Sequence, residues 1–316
     1  MDKKTFLSTI NLFFILNVLV AQDFKFEQRP DGILLKEGED RVFFYQRNLK
    51  SAEGKYGRAH YFHPLYGLKE DILTEDFPPD HPHHRGVFWA WHEILLGGQK
   101  VADGWDIKKI EWIVNNTTSD TDERYATLSS NVIWRILNDN GKALDIVEET
   151  CLVRVSQPHQ QLRRMDFEIQ LKALTDSVNI AGSQDEKGYG GFSIRLFLPE
   201  NVQFYDQQKQ LIPGNEAVDG GDWLKVKGGL GRVSATPTQL ILITHPKYPN
   251  KKQKWILRSK GSMQNVVFPG KKAVRIYKHE PLILKYSLIL FNKNTPYELV
   301  QNQIEEFQDS DTIVKE

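Results

Sequence analysis

Residues Ala126–Ala173 read ATLSSNVIWRILNDNGKALDIVEETCLVRVSQPHQQLRRMDFEIQLKA. Within Ala126–Leu137 the apolar residues Val132, Trp134 and Ile136 recur at every second position. A period of two places alternate side chains on one face of a strand. Asn138-Asp139-Asn140-Gly141 follows, and an Asn-Gly pair between two such runs is a hairpin signal because both residues tolerate positive φ. The return strand runs from Ala143 to about Val155. Leu162–Ala173 then sets Met165, Phe167, Ile169 and Leu171 inward against Arg164, Asp166, Glu168, Gln170 and Lys172 outward, a strand with one wet face. Three long strands joined by short polar connections define an antiparallel sheet.

Outward from this block the same signals continue. Phe24–Glu27, Ile33–Leu35, Val42–Tyr45, Ala59–Tyr66 and Gly86–Trp91 read as strands on the N-terminal side. On the C-terminal side Phe192–Leu198, Gln239–Thr244, Lys254–Arg258, Met263–Phe268 and Leu282–Phe291 do the same. Ser51–Tyr56, Gly97–Asp106 and Ser183–Gly191 read as loops, and Gly214–Gly231 as irregular. Thr295-Pro296-Tyr297-Glu298 has the form of a capping box, and Val300, Ile304 and Phe307 share one face of the helix it would start. The expected fold is all-β: one large antiparallel β-sandwich over residues 22–310, two curved sheets with a concave face and a short C-terminal helix. Two smaller sandwiches are the alternative. Residues 311–316 read as a frayed tail.

Residues 1–21 are set apart. Asp2-Lys3-Lys4, the apolar run Phe13–Val20 and Ala21-Gln22 have the form of a signal peptide cut after Ala21. No cysteine follows the cut, so there is no lipobox, and the expected location is periplasmic or secreted. The chain of 316 residues has 41 basic and 41 acidic side chains, which gives no reason to expect nucleic acid or, after signal cleavage, a membrane as partner. The single cysteine, Cys151, allows no intrachain disulfide, and its alternating apolar context reads as a small buried hydrophobe.

The chemistry concentrates in Asp76–His92, DFPPDHPHHRGVFWAWH. Its prolines exclude an interior strand, so His81, His83 and His84 sit on an ordered loop. If extended, the loop places His81 and His83 on one side and His84 on the other. The three are candidate catalytic residues, and His81 and His83 are the best candidates for a divalent metal. Imidazoles pinning the loop through backbone hydrogen bonds are the competing reading. His63 and Arg85 are candidate substrate-binding residues, Arg85 able to hold a carboxylate of a substrate or of Asp80. Glu186 on the turn DEKG, followed by Arg195, suggests an acid/base with an anion clamp. His245, Trp255 and Arg258 form a third substrate-binding set. No Ser-His-Asp order, phosphate loop or dinucleotide fingerprint is present.

The segments HYFHPLYG, DFPPDHPHHRGVFWAW, DEKGYGGFSIRL, ITHPKYPN and WILRS together resemble an exported bacterial family labelled "methane oxygenase PmoA"-like, whose known members come mostly from Bacteroidetes and planctomycetes that use carbohydrates and sugar acids. The label implies neither methane oxidation nor copper here, since a particulate methane monooxygenase subunit is a multi-helix membrane protein. The resemblance implies a galactose-mutarotase-like supersandwich, a fold that hosts epimerases, lyases and hydrolases. Tyr189 and Gly190 lengthen the turn after Lys187-Gly188 relative to that family's tighter form. The expected function is a hydrolase or lyase acting on a small saccharide or sugar acid through a His/Arg/Glu pocket. The alternative is a non-catalytic glycan-binding module. If the histidine loop, Arg195, His245 and Arg258 meet in one pocket, a site is favoured; scatter over the surface would remove both readings.

Overall fold

A computed structural model describes residues 23–137, 140–158, 161–231, 238–247 and 253–310. The expected signal peptide, Asn138-Asp139 of the hairpin turn and the C-terminal tail lie outside the described residues. The fold is an antiparallel β-sandwich built on two nine-stranded sheets. In spatial order the front sheet contains Phe24–Arg29, Gly32–Glu37, Asp40–Gln46, Tyr61–Leu65, Val87–Ala90, Gly191–Arg195, Met263–Val266, Gln253–Ile256 and Val218–Gly220. The back sheet runs Ile110–Thr121, Tyr125–Leu137, Ala143–Ser156, Leu162–Ala173, Leu282–Asn292, Thr238–Thr244, Trp223–Leu230, Gln203–Tyr205 and Gln210–Leu211. A four-stranded sheet (Val274–Ile276, Val178–Ala181, Glu93–Leu96, Gln99–Ala102) and the small hairpin Lys50–Ala52/Lys55–Arg58 complete the β structure.

The long alternating runs form the back sheet as their pattern requires. Met165, Phe167, Ile169 and Leu171 are fully buried in the core between the sheets, where each side chain contributes roughly 1.5–3 kcal/mol. A polar network crosses that core. The Glu149 carboxylate accepts the indole N–H groups of Trp89 at 2.7 Å and Trp134 at 2.7 Å, and lies 2.8 Å from His60 Nε2. His60 Nδ1 in turn lies 2.8 Å from the Tyr45 hydroxyl. Tyr45, His60 and Trp89 belong to the front sheet and its edges, Trp134 and Glu149 to the back sheet. The network therefore pins the two layers in register, and its donors keep a buried carboxylate satisfied.

Five expectations are corrected. Ser51–Tyr56 is not a loop but lies in the hairpin turning at Glu53 (φ 51°) and Gly54 (φ 77°). Gly97–Asp106 contains the return strand of a hairpin whose turn is Gly97-Gly98. Gly214–Gly231 carries two strands, because Leu224, Val226 and Leu230 bury between its glycines. The outer face of Leu162–Ala173 is not wholly wet: Arg164 and Asp166 are buried under the C-terminal helix Tyr297–Asp309. There Arg164 donates to Gln303 at 3.0 Å and to Asp166 at 3.2 Å, and Ser287 donates to Asp166 at 2.7 Å. The helix docks through Val300, Ile304 and Phe307, but it has no capping box. Thr295 Oγ1 donates to Gln161 O instead and accepts from Asn292 N, fixing the entry to the helix rather than its first turn.

Candidate active site

Alternation along the front sheet creates a second, outer cluster. Phe62, Val87, Trp89, Phe192, Ile194 and Trp255 face the main core. Tyr61, Phe88, Ala90, Ile256 and Met263 face the other way and are joined by Trp105, with Tyr189 packed on them. Three loops lie on this outer face: the histidine loop, residues 103–106 and residues 183–190.

Two arginines hold the histidine loop. Arg195, buried on its strand, bonds both oxygens of Asp80 at 2.8 and 3.0 Å and Glu75 at 2.7 Å. Asp80 in turn accepts from His81 Nδ1 at 2.9 Å. Arg85 is fully buried and donates to the carbonyls of Pro82 at 2.7 Å, His84 at 2.8 Å and Tyr56. Its guanidinium lies 3.6 Å over the Phe77 ring and 3.6 Å from Asp76. So Arg195 rather than Arg85 grips Asp80, and Arg85 faces protein, not an open pocket. Gly86 is required by space, since a Cβ there would stand 2.1 Å from the Phe62 carbonyl oxygen.

The loop turns instead of extending, with His84 N donating to His81 O at 2.9 Å. The His81 and His84 rings therefore stack at 4.6 Å with 2° between planes, and His83 meets His84 edge-on at 4.7 Å. The expected His81/His83 side and His84 side do not separate. Burial lowers the His83 pKa to about 4, against the opposing pull of Asp106. Burial, then His83 and His81, drives His84 lower still. Both are neutral at neutral pH. His81 remains partly open, with its side chain 41% exposed.

Residues that the sequence reading did not single out complete the site. His92 Nδ1 donates to Asp103 Oδ2 at 3.1 Å, and its ring stacks on Trp105 at 5.6 Å and meets Tyr189 at 4.8 Å. Asp103 also accepts from Trp105 N, Asp106 N and Lys100 Nζ. Burial opposes its charge, but the donors from His92, the Asp106 amide and Lys100 outweigh that and hold the carboxyl at about 2. One ligand atom from each of His92, Asp103 and Asp106 lies within 4.8 Å of the others. Among the described residues this is the group of three in metal-holding reach; His81 and His83 do not belong to one. The available signal was DGWD, two acids around a tryptophan, which turn chemistry imitates.

The other expected residues divide. Arg258 lies near Tyr189 on the outer face, its guanidinium held by the Asn215 carbonyl at 3.0 Å. Glu186 does not join the histidines: it is exposed and pairs with Lys271 at 3.3 Å. Its loop contributes Tyr189 instead. His63 bonds Thr74 Oγ1 at 3.0 Å and lines a depression of about 260 Å³ with Glu75, Asp76 and Phe77. Trp255 is fully enclosed in the main core, bonding Gly221 O at 3.1 Å, and offers no sugar platform. His245 is on the back sheet, where it lies 2.7 Å from Ser310 O beside Phe307. The loop, Arg195 and Arg258 therefore share a face, and His245 does not.

No curated protein matches this chain. A solved chain provisionally described as a kojibiose phosphorylase from human microbiome is similar at 6% identity with a TM-score of 0.32, over 92% of this chain and 37% of that one. This chain thus spans well under half the length of that structure, and a likeness so distant bears on nothing below. The model of a family of unknown function, DUF6807, matches residues 33–305, and the chain belongs to that family.

Proposed function

We propose that the outer face of the front sheet is the active site of an exported enzyme acting on a saccharide or sugar acid. One observation carries this reading: Arg195, Asp80 and His81 form a chain of hydrogen bonds that ends on a partly open imidazole. A carboxylate on Nδ1 fixes the tautomer and leaves Nε2 as the basic nitrogen, the arrangement a general base requires. Around it, the half-buried Tyr189 supplies aromatic surface suited to a pyranose ring, and Arg258 supplies a cation for an acidic substituent.

Within that class the arrangement favours a lyase over a hydrolase. Glycoside hydrolysis commonly uses two carboxyl groups across the scissile bond. Glu186 is turned to solvent and Asp103 is saturated by four donors, which leaves Asp106 without a second free acid. β-Elimination needs one base to remove the proton α to a uronate carboxylate; the electron pair forms the C=C bond, the glycosidic C–O bond at the β carbon breaks, and the leaving oxygen takes a proton from the protonated base or from water. The same lack of a second carboxyl group also supports the alternative, a glycan-binding module without turnover. Incubation with neutral and uronic oligosaccharides separates the readings. A lyase yields an unsaturated, ultraviolet-absorbing end group, a hydrolase yields new reducing ends alone, and a binding module retains the glycan unchanged. Neither turnover nor retention of any saccharide would remove the proposal.

A further inference from the structure

Two imidazole nitrogens beneath the outer face are shut off from solvent with no hydrogen-bond partner among the described residues: Nε2 of His92 and Nδ1 of His84. His84 is 2% exposed, and both rings pack on Trp105, at 5.6 Å for His92 and 5.8 Å for His84. The His92 tautomer is set by its other nitrogen. Nδ1–H donates to Asp103, so Nε2 presents a bare lone pair. A carboxylate behind a histidine in this way is the usual outer support of a metal-bound imidazole.

Asp103 is not itself a free ligand, since its oxygens already accept from two backbone amides, Lys100 and His92. Asp106 differs. Its side chain is 33% exposed and is paired at 2.7 Å with Lys108, a lysine 69% exposed and free to swing away.

We propose that this cluster binds a divalent first-row metal ion through His92 Nε2 and a carboxylate oxygen of Asp106, with water completing the coordination and Asp103 as the positioning residue. An imidazole with a carboxylate suits Zn²⁺ or Mn²⁺ better than Ca²⁺, which takes six to eight oxygens. Ligand atoms of His92, Asp103 and Asp106 now lie as much as 4.8 Å apart, and binding requires those of His92 and Asp106 to close to roughly 3.3 Å, the spacing set by metal–ligand bonds of about 2.0 Å. The ion would neighbour the His81 base without using it, so this inference shares the pocket of the proposed enzyme but not its reaction.

The test uses the full chain, stripped with a chelator and titrated with Zn²⁺, Mn²⁺ or Ca²⁺ by calorimetry, with bound metal counted by mass spectrometry. The expected result is one Zn²⁺ or Mn²⁺ per chain and no Ca²⁺. His92→Gln and Asp106→Asn should weaken binding at least about 100-fold, and Asp103→Asn about 10–100-fold. His279→Gln, which removes an exposed imidazole elsewhere, should bind as wild type. The imidazole ¹⁵N shift of His92 on adding Zn²⁺ to the wild type gives a check that needs no variant to fold. Folded wild type that retains no ion, unmoved His92 signals, or unchanged binding in His92→Gln and Asp106→Asn would overturn the inference. Saccharide turnover by a protein that takes up no ion in the titration would remove the metal and leave the enzyme reading; a bound ion with no turnover would do the reverse.

Discussion

His63 is a half-buried imidazole whose pKa burial lowers to about 4. In the unfolded chain it titrates near 6.5. Between those values the unfolded chain binds a proton that the folded chain refuses, so stability falls as pH drops through that window. Each such group steepens the fall by up to about 1.4 kcal/mol per pH unit. Urea midpoints of wild type and His63→Gln should therefore run parallel above pH 6.5 and diverge between pH 6.5 and 4, wild type falling faster. Parallel curves throughout would show that His63 is not held neutral. At this scale the sequence was informative only where chemistry was locally dense. His81, His83 and His84 stand out because they are adjacent, but their stacking follows from a turn that the extended reading missed. His92, Asp103 and Asp106 come from opposite ends of a hairpin, and nothing in their spacing says that the chain doubles back. Trp255 was misplaced by one step of parity: its neighbours Ile256 and Arg258 face the outer side, and Trp255 faces the core.

The histidine loop is an element without regular structure, so its order rests on the arginines beneath it. Arg195→Gln removes the bonds to Asp80 and Glu75. These carboxylates are 38% and 24% exposed and recover water, so the expected cost is about 1–2 kcal/mol, below the 3–5 typical of an enclosed pair. The larger effect is local: backbone amides of residues 80–84 should exchange markedly faster while the sheets keep their protection. Unchanged exchange there would show that the loop is held by Arg85 alone. The C-terminal helix is the opposite case, legible from Val300, Ile304 and Phe307 and fixed by apolar contact. Phe307→Ala should cost about 3–5 kcal/mol, read from the urea midpoint. A loss below 1 kcal/mol would mean that the helix is not part of the cooperative unit. The helix itself could be read from its period, but its cover over Arg164 and Asp166 could not, because local alternation does not report what packs on a face from far along the chain.

For the whole molecule, the sandwich was legible because its longest strands alternate cleanly and follow one another in the back sheet. The front sheet was harder: its strands are short, it is assembled from segments far apart in sequence, and glycines break its pattern. What joins the layers is the Glu149 network, which no sequence pattern announces. Glu149→Leu would leave the Trp89, Trp134 and His60 donors unpaired in the core. At about 1–3 kcal/mol per orphaned group, the expected loss is on the order of 4 kcal/mol, with Glu149→Gln losing less because one acceptor oxygen remains. Equal stability of Glu149→Leu and wild type would mean that the apolar contacts alone set the register. The molecule then presents one loop-covered face, on which the proposed chemistry depends. The most direct measurement is kcat/KM on the best uronic oligosaccharide for wild type, His81→Gln and His279→Gln at pH 7. The account predicts a loss of about 100-fold or more for His81→Gln, the range of a missing general base, and none for His279→Gln. Turnover that survives His81→Gln unchanged would contradict it.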